Sequence, residues 1–558
     1  MKNIVGVNRG HNASVALIED GDIVFHLENE RLTNIKYDWY AFGALSQLPN
    51  YVDKVDGIVV AGLTKTVPVD TYAKQDLYTT FIRNLKKSFH KDDVMVSDMG
   101  HIHHQLHAST AFYNSGFDEA LCIIRDGMGS EFYFNDSRFN VGSYGRESHS
   151  TFVARYPSSF ELIDKSIIVA QELDVDYNQN TRVTGNCSEA FAFDIASKFF
   201  GWHGLEAGKV MGMSSYGKYD SNIPSIYNED KINRDLFSFG EDLNNGYVNI
   251  AKYSYLTSQE FRVKANFAYA LQKATQEHIS NYINRMIEKT GIKNVCLSGG
   301  YFLNCVANYH ILKNLPKDVN LYVEPISSDA GTSLGAAKLL WHLITKDTTK
   351  RKLSSLYLGP THEYDINYIK NNLANEETLH EGVTAKEVAS LIANKNLVAM
   401  YQGRSESGPR ALGNRSFLYD PRDPEGKDEV NKIKKREWFR PFAGTVLYEH
   451  RNEWFDLHTM NESAFMMYAV NVKKDSVPAI THVDNTCRVQ TLKQSQNENF
   501  YALIDEFYKQ TGVPILLNTS LNLAGDCIAE TIDDALNIIR NSSVKYLYLP
   551  ELKCLISK

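Results

Sequence analysis

A chain of 558 residues exceeds what one hydrophobic core usually fills, so two or three domains are expected, and 43% hydrophobic with 23% charged residues is the balance of a globular protein. The net charge of −8 excludes a chain-wide basic field for nucleic acid and leaves room only for a local basic groove. The sequence holds no apolar run of roughly 18 residues to span a membrane and no secretory h-region at its start, and its seven scattered cysteines form no CxxC pair, which suits core filler in a reducing cytoplasm.

Three strands are expected first, at residues 3–8, 13–19 and 22–28, with Asp20-Gly21 as a hairpin signal between the second and third. The turn Arg9-Gly10-His11-Asn12 sets an imidazole among small and polar residues. A neutral ring there can take a proton from an attacking hydroxyl, and a turn histidine bonded to nearby backbone fits equally well. Further on, a helix running through Ala108-Ser109-Thr110-Ala111-Phe112-Tyr113 puts His103 and His107 at i and i+4 on one face, able to share a metal. His101 and His104 crowd the same stretch, so the spacing alone also fits a solvated helix start. Two imidazoles need a carboxylate from elsewhere. Asp329, in a turn before Gly331, and Asp126 are the candidates, and such a set suits Fe, Zn or Mn.

A strand at 120–125 runs into Asp126-Gly127-Met128-Gly129, and one at 294–297, after a helix at 267–288, runs into Ser298-Gly299-Gly300. A strand at 320–324 leads through Ser327-Ser328-Asp329-Ala330-Gly331 to a helix at 333–345. Strands that end in Asp-Gly or Gly-Gly turns, with helices between, describe a doubly wound α/β fold with ligands at the strand ends. Repeated β-β-β openings suggest two related halves, as in actin-like ATPases. Asp126 with its glycines can approach a phosphate or metal closely, and Gly299 and Gly300 can hold a nucleotide by backbone N–H groups.

The charged run Lys346-Asp347-Thr348-Thr349-Lys350-Arg351-Lys352 opens a linker. The expected division is a first domain over 1–345, a connection over 346–380 and a second domain over 381–558. The last has a helix at 385–395 and strands at 397–401, 513–517 and 546–549, with a helix at 531–541 before the last strand. Between Gly403 and Ser416 the arginines Arg404, Arg410 and Arg415 lie among turn-forming residues, and Arg410 and Arg415 can fork onto phosphate oxygens. Lys434, Arg436 and Arg440 follow, with Trp438 and Phe439 among them; Arg488 and the strand end Asn518-Thr519-Ser520 complete a candidate anion pocket.

These blocks, in this order, resemble the O-carbamoyltransferases of the NodU/CmcH type over nearly the whole chain. The resemblance rests on Gly10-His11-Asn12-Ala13-Ser14, Glu30-Arg31 with Lys36, His103-His104-Gln105-Leu106-His107-Ala108, Arg125-Asp126-Gly127 and Lys209-Val210-Met211-Gly212. It continues through Ser298-Gly299-Gly300, Asp329-Ala330-Gly331, Gly408 to Ser416, Arg436 to Pro441, Thr481-His482-Val483-Asp484 and Asn518-Thr519-Ser520. It implies a TsaD-like first domain of the actin-like ATPase (ASKHA) fold and an α+β, YrdC-like second domain. By the same resemblance the second domain makes carbamoyl-adenylate from carbamoyl phosphate and ATP, taken with Mg2+. The first passes the carbamoyl group to a hydroxyl acceptor beside a bound divalent metal, typically Fe2+. The implied ligands are His103, His107 and Asp329, with Asp126 beside them and His11 as acid/base. Lys434, Arg436, Arg440, Arg488 and Ser520 would contact phosphate or nucleotide, and Lys209, Gly299, Gly300, Arg410, Arg415 and Asn518 join them as candidates. Two positions depart from the pattern: Asn12, where relatives carry an acid, and Leu521, where an aromatic is common.

Acceptor classes in this family include sugar hydroxyls, macrolactam antibiotics and cephem hydroxymethyl groups. A hydroxymethylated pyrimidine, as nucleotide or in DNA, is carried beside them as an open hypothesis, and the Lys- and Asn-rich composition points to a low-GC or viral source rather than an antibiotic producer. The resemblance leaves room for a cytoplasmic homodimer without membrane attachment. The competing readings are a threonylcarbamoyl-type tRNA-modifying enzyme, which the net acid disfavours, and a non-enzymatic ATP-binding sensor.

Overall fold

The computed structural model describes residues 2–63, 77–89, 94–134, 144–239, 243 and 245–558. They divide into two compact units, Met1–Asn29 with Tyr37–Ser354, and Glu30–Lys36 with Ser355–Lys558.

The first unit is built on two sheets of one topology. In the first, β1 (Asn3–Arg9), β2 (Ser14–Glu19) and β3 (Asp22–Glu28) form an antiparallel meander, while β4 (Gly57–Gly62) and β5 (Met95–Asp98) run parallel to β1 on its other side, in the order β3-β2-β1-β4-β5. The second sheet repeats this with β6 (Glu119–Arg125) in the role of β1. Here β8 (Tyr144–Arg155) and β9 (Ser159–Val169) continue the meander, and β16 (Asn294–Ser298) and β17 (Asn320–Val323) are the parallel strands, in the order β9-β8-β6-β16-β17. Short strands β7 (Glu131–Tyr133), β10 (Asp174–Asn178) and β11 (Thr181–Thr184) extend it, and two small ribbons, β12 (Tyr227–Asn228) with β13 (Lys231–Ile232) and β14 (Phe237–Phe239) with β15 (Gly246–Val248), stand apart. A β-β-β-α-β-α-β unit used twice is the architecture of actin-like ATPases, as the sequence led us to expect.

Continuous apolar runs give β1, β4 and β6 their buried faces on both sides. The helix Thr332–Thr345 packs on β1, β2 and β4, and the helix His103–Ser115 on β6, β8 and β16. The two helices also meet each other, and small residues permit it. A Cβ on Gly335 would lie 2.1 Å from the Leu106 carbonyl oxygen, and one on Gly6 would lie 2.0 Å from that of Ser333. The strand ends that carry Asp126, Ser298 and Asp329 are thereby brought over the first turn of the His103–Ser115 helix.

The second unit is a mixed α+β body on a ten-stranded sheet, in the order β18 (Thr378–Glu381), β27 (Cys554–Ser557), β26 (Tyr546–Leu549), β19 (Val398–Tyr401), β20 (Arg415–Tyr419), β25 (Ile515–Ser520), β21 (Ala443–Leu447), β24 (Thr486–Leu492), β23 (Ala469–Val472) and β22 (Phe455–Asp456). The stretch 346–380, expected to be a connection, holds the helix Ile366–Asn372 and most of edge strand β18, which pairs with β27 from the far end of the chain. Pairing over such a sequence separation leaves no local signal. The seven cysteines are free. Among the described residues no helix is long and apolar enough to cross a membrane.

Candidate active site

His103, His107, Asp126 and Asp329 converge, with one ligand atom of each within 4.8 Å of every other. The imidazoles come from the first two turns of the His103–Ser115 helix, Asp126 from the turn after β6 and Asp329 from the 3-10 turn Asp329–Gly331 that opens the helix Thr332–Thr345. His107 Nε2 lies 3.2 Å from His103 Nε2, and each stands 3.5 Å from Asp329 Oδ1. His103 Nε2 is also 3.5 Å from Asp126 Oδ2. Burial works against a charge on His103, yet the Asp329 and Asp126 carboxylates outweigh it and lift the imidazole to about 10. Burial likewise opposes ionisation of Asp329, and the surrounding histidines hold it well below the usual carboxylate range.

The residues fit a divalent cation. Two imidazole nitrogens face each other at hydrogen-bond distance with carboxylates on either side, an arrangement a shared cation satisfies better than any one proton, and the N/O donor set suits Fe, Zn or Mn. Outer contacts aim the ligands. The Gly300 N–H donates to Asp126 Oδ1 at 3.0 Å, His107 Nδ1 is 3.4 Å from Ser298 Oγ, and Ser188 Oγ donates to the Asp126 carbonyl at 3.0 Å. Gly299 holds φ at +99°, which lets the chain turn between Ser298 and Gly300.

His11 meets this cluster from the β1–β2 turn, its Nε2 3.3 Å from Asp329 Oδ2. Its side chain is 27% exposed against 6% for Asp329, so His11 joins the cluster to solvent. Asn12 holds φ at +59°, and its Oδ1 sits 3.1 Å from His11 Nδ1.

His104, inside the same motif, faces elsewhere. Its Nδ1 is 2.9 Å from Ser150 Oγ, and burial pulls it down to about 3, so it is neutral near pH 7 and charged only in acid. Beside it, burial raises Glu147, but His104 and Lys165 pull it lower, to about 2; the carboxylate accepts from Lys165 Nζ at 2.5 Å and from the Ser130 N–H at 3.1 Å. Ser130 Oγ in turn accepts from the His103 N–H at 3.2 Å. Lys209 lies on the helix Ala207–Ser214, with Nζ 2.9 Å from Glu206 Oε1 and 5.5 Å from the centre of the Trp202 ring.

In the second unit the arginine-rich run is a loop wrapped on Glu406, whose Oε1 accepts from the N–H groups of Leu412, Asn414 and Arg415. Sequence reasoning missed this carboxylate; an acid flanked by serines amid arginines was the available signal. Arg415 corrects the sequence expectation. It is fully buried, lies 3.9 Å from the centre of the Tyr401 ring, and donates to the carbonyls of Gln402, Gly403, Asn414 and Glu530. Its fork holds backbone and is not presented to phosphate. Asn518 is likewise internal, its amide donating to Ala411 O, Thr445 Oγ1 and Gln490 Oε1. Arg410 is half-buried in the same loop.

Lys434, Arg436, Arg440 and Arg488 form a cationic group. Lys434 is buried and donates to the carbonyls of Ser520 and Asn522 and to Asn522 Oδ1, to which the Ser520 hydroxyl also donates at 2.6 Å. Burial first, then Arg436, Arg440 and Lys36, pushes its ammonium well below the ordinary lysine value. Burial, Arg440 and Arg488 do the same to Arg436, whose Nε has no hydrogen-bond partner among the described residues. Arg488 stands opposite Ala443 on β24, and Asn518 stands opposite Ala443 on β25. Such mutual repulsion of cations is relieved by an anion.

The family model "Carbamoyltransferase N-terminus" matches residues 50–338 and "Carbamoyltransferase C-terminus" matches 389–558. The chain belongs to the carbamoyltransferase family and is a carbamoyl-transferring enzyme. It is 30% identical to the nodulation protein NolNO of Sinorhizobium fredii over 94% of this chain and 76% of that protein. It is 32% identical to the nodulation protein NolO of Bradyrhizobium diazoefficiens over 78% of this chain and 75% of that protein. Among solved structures, full-length HypF in its phosphate- and nucleotide-bound form aligns with 62% of this chain and 47% of its own, at 15% identity and a TM-score of 0.37.

Proposed function

We propose that the chain is an O-carbamoyltransferase that divides its chemistry between the two units. In the second unit, carbamoyl phosphate, ATP (as its magnesium complex) and water give carbamoyl-adenylate, pyrophosphate and phosphate. In the first, a hydroxyl acceptor takes the carbamoyl group and AMP leaves. The observation that carries this reading is the buried cluster of His103, His107, Asp126 and Asp329 in a chain of this family.

Lys434, Arg436, Arg440 and Arg488 supply the cationic field that binds and neutralises phosphate oxygens, and Lys434 also ties down the turn after β25 through Ser520 and Asn522. In the first unit His11 Nε2, 3.3 Å from Asp329 Oδ2, accepts the proton of the attacking hydroxyl. The solvent-facing position of His11 lets that proton leave. The Gly300 N–H and Ser188 fix Asp126, and Ser298 fixes the His107 ring, so that the donor set keeps its shape. A divalent ion held by His103, His107, Asp329 and Asp126 would supply Lewis-acid polarisation of the carbamoyl oxygen. The acceptor we carry forward is a hydroxymethyl group, with a hydroxymethylated pyrimidine, free or in DNA, as the leading candidate.

Incubation with carbamoyl phosphate and ATP tests the first half-reaction. Pyrophosphate release dependent on carbamoyl phosphate is expected. A folded chain that releases none is not this enzyme.

A further inference from the structure

Asp329 faces two ways. Its Oδ1 is 3.5 Å from Nε2 of both His103 and His107, and its Oδ2 is 3.3 Å from His11 Nε2. A carboxylate divided between partners on separate elements leaves its backbone little freedom, since a site of this kind tolerates a displacement of only about 0.5 Å. The bonds from Gly300, Ser188 and Ser298 act on Asp126 and His107 and leave the Asp329–Gly331 turn to other groups.

Each carbonyl of that turn meets a polar side chain. The Thr332 hydroxyl, on the helix that follows, donates to the Asp329 carbonyl at 2.7 Å. The Ser14 hydroxyl donates to the Ala330 carbonyl at 2.7 Å, and His26 Nε2 lies 3.0 Å from the same oxygen. The Thr110 hydroxyl donates to the Gly331 carbonyl at 2.8 Å. Ser14 opens β2 three residues after His11, His26 lies on β3, and Thr110 is three residues beyond His107 on the same helix. The turn is thus bonded both to the strand that follows His11 and to the helix that bears the paired imidazoles.

These groups are committed to the turn. A carbonyl oxygen only accepts, so His26 carries a proton on Nε2. Ser333 Oγ is 2.8 Å from Ser14 Oγ and 3.1 Å from the Ala330 carbonyl. Ser14 and His26 occupy the two lone pairs of that carbonyl, so the Ser333 proton goes to Ser14 Oγ. Ser14, His26 and Thr110 are all buried. Apolar side chains would fill this space without the cost of drawing hydroxyls and an imidazole out of water. One buried histidine on one carbonyl is ordinary; side chains from three elements on the two carbonyls after Asp329 are not.

We infer that Ser14, His26 and Thr110 are positioning residues that lock this turn, so that Asp329 presents one oxygen to the paired histidines and the other to His11. The inference rests on the carbamoyl-transfer reading and deepens it. Through Ser14 the base and the ligand set keep one register. Without the lock the turn swings, Asp329 Oδ1 leaves the imidazoles, and the donor set loses its grip on a cation.

The test uses the full chain with Co2+ alone as the probe, titrated against a competing chelator. The visible absorption bands of the bound ion and the thermal midpoint are recorded on the same samples, and His103→Ala gives the background from other sites. His26→Leu should weaken Co2+ binding roughly ten- to hundredfold and alter the bands, as loss of an outer partner does. His26→Gln, whose amide N–H reaches for the same carbonyl, should restore most of both. Thr110→Val and Ser14→Ala remove one hydroxyl each with little change in volume. Each should weaken binding in the same direction, and they decide the outcome if His26→Leu does not fold. Variants that lower the thermal midpoint yet bind Co2+ with wild-type affinity and bands are packing changes only; they overturn the inference and leave the proposed function standing. A folded His26→Gln no better than His26→Leu also overturns it. A wild type that binds no more Co2+ than His103→Ala removes the metal cluster itself, and the inference with it.

Discussion

Gly299→Ala perturbs the site through backbone alone. At φ +99° and ψ 156° the backbone lies in a region essentially reserved for glycine, where an alanine carries strain of about 1–3 kcal/mol. Its Cβ would stand 2.3 Å from the Arg125 carbonyl oxygen and 2.7 Å from the carbonyl carbon, atoms that move only with β6 itself. Relieving that contact adds an overpacking cost of about 1–3 kcal/mol, so the substitution should destabilise the first unit by about 2–6 kcal/mol. Ser298 pairs with Ile124 across β16 and β6, so the end of β16 must shift away from β6. That shift draws Ser298 from His107 and the Gly300 N–H from Asp126 together. Metal content by elemental analysis, a denaturant titration and both half-reactions should be measured. We expect metal and carbamoyl transfer to be lost while pyrophosphate release continues. Gly127→Ala is the control, since a Cβ there meets nothing within 4 Å. Gly299→Ala with wild-type metal content and transfer would refute the reasoning.

Other substitutions separate the two units. His103→Ala should abolish transfer and leave pyrophosphate release intact; loss of both in a folded protein would contradict the division. Arg440→Ala should impair activation first, by the roughly 2–5 kcal/mol that an unpaired phosphate contact costs, read as a fall in the pyrophosphate rate. Arg415→Lys should lower the denaturation midpoint more than it changes KM for ATP, because a lysine cannot reproduce a fork shared among four carbonyls. Glu147 supplies a pH test. Its folded value of about 2 lies below its ordinary 4.5, so its contribution to stability is present above about pH 4.5 and is lost as pH falls toward 2. Glu147→Gln should flatten that limb of the stability profile, and an unchanged acid limb would speak against the ion pair with Lys165.

Much of the first unit was legible because its signals are local. The alternation of strands with Asp-Gly and Gly-Gly turns placed β1–β3, β6, β16 and β17 within a residue or two of where they lie, and the repeat of that pattern carried the two-halves reading. His103 and His107 share a helix face because their spacing matches its period. What the sequence could not order was choice among long-range partners. Asp126 and Asp329 were alternatives as the carboxylate, whereas the folded chain brings both to the histidines. Arg415 and Asn518 read as phosphate groups because burial is invisible in a motif, and both bond inward. The excursion Glu30–Lys36, which counts with the second unit, also escaped notice: Arg31 donates to the Gly408 carbonyl at 2.7 Å and Asn34 Oδ1 accepts from the Cys527 N–H at 2.9 Å, contacts spanning hundreds of positions.

The separation of activation from transfer is tested most directly on the full chain stripped of tightly bound metal by a chelator, dialysed and resupplied with Mg2+ for ATP. Pyrophosphate release with carbamoyl phosphate should continue at its former rate, while carbamoylation of the acceptor should cease and return on addition of Fe2+. Loss of both reactions together, or transfer that persists undiminished without the metal, would contradict the assignment of one half-reaction to each unit.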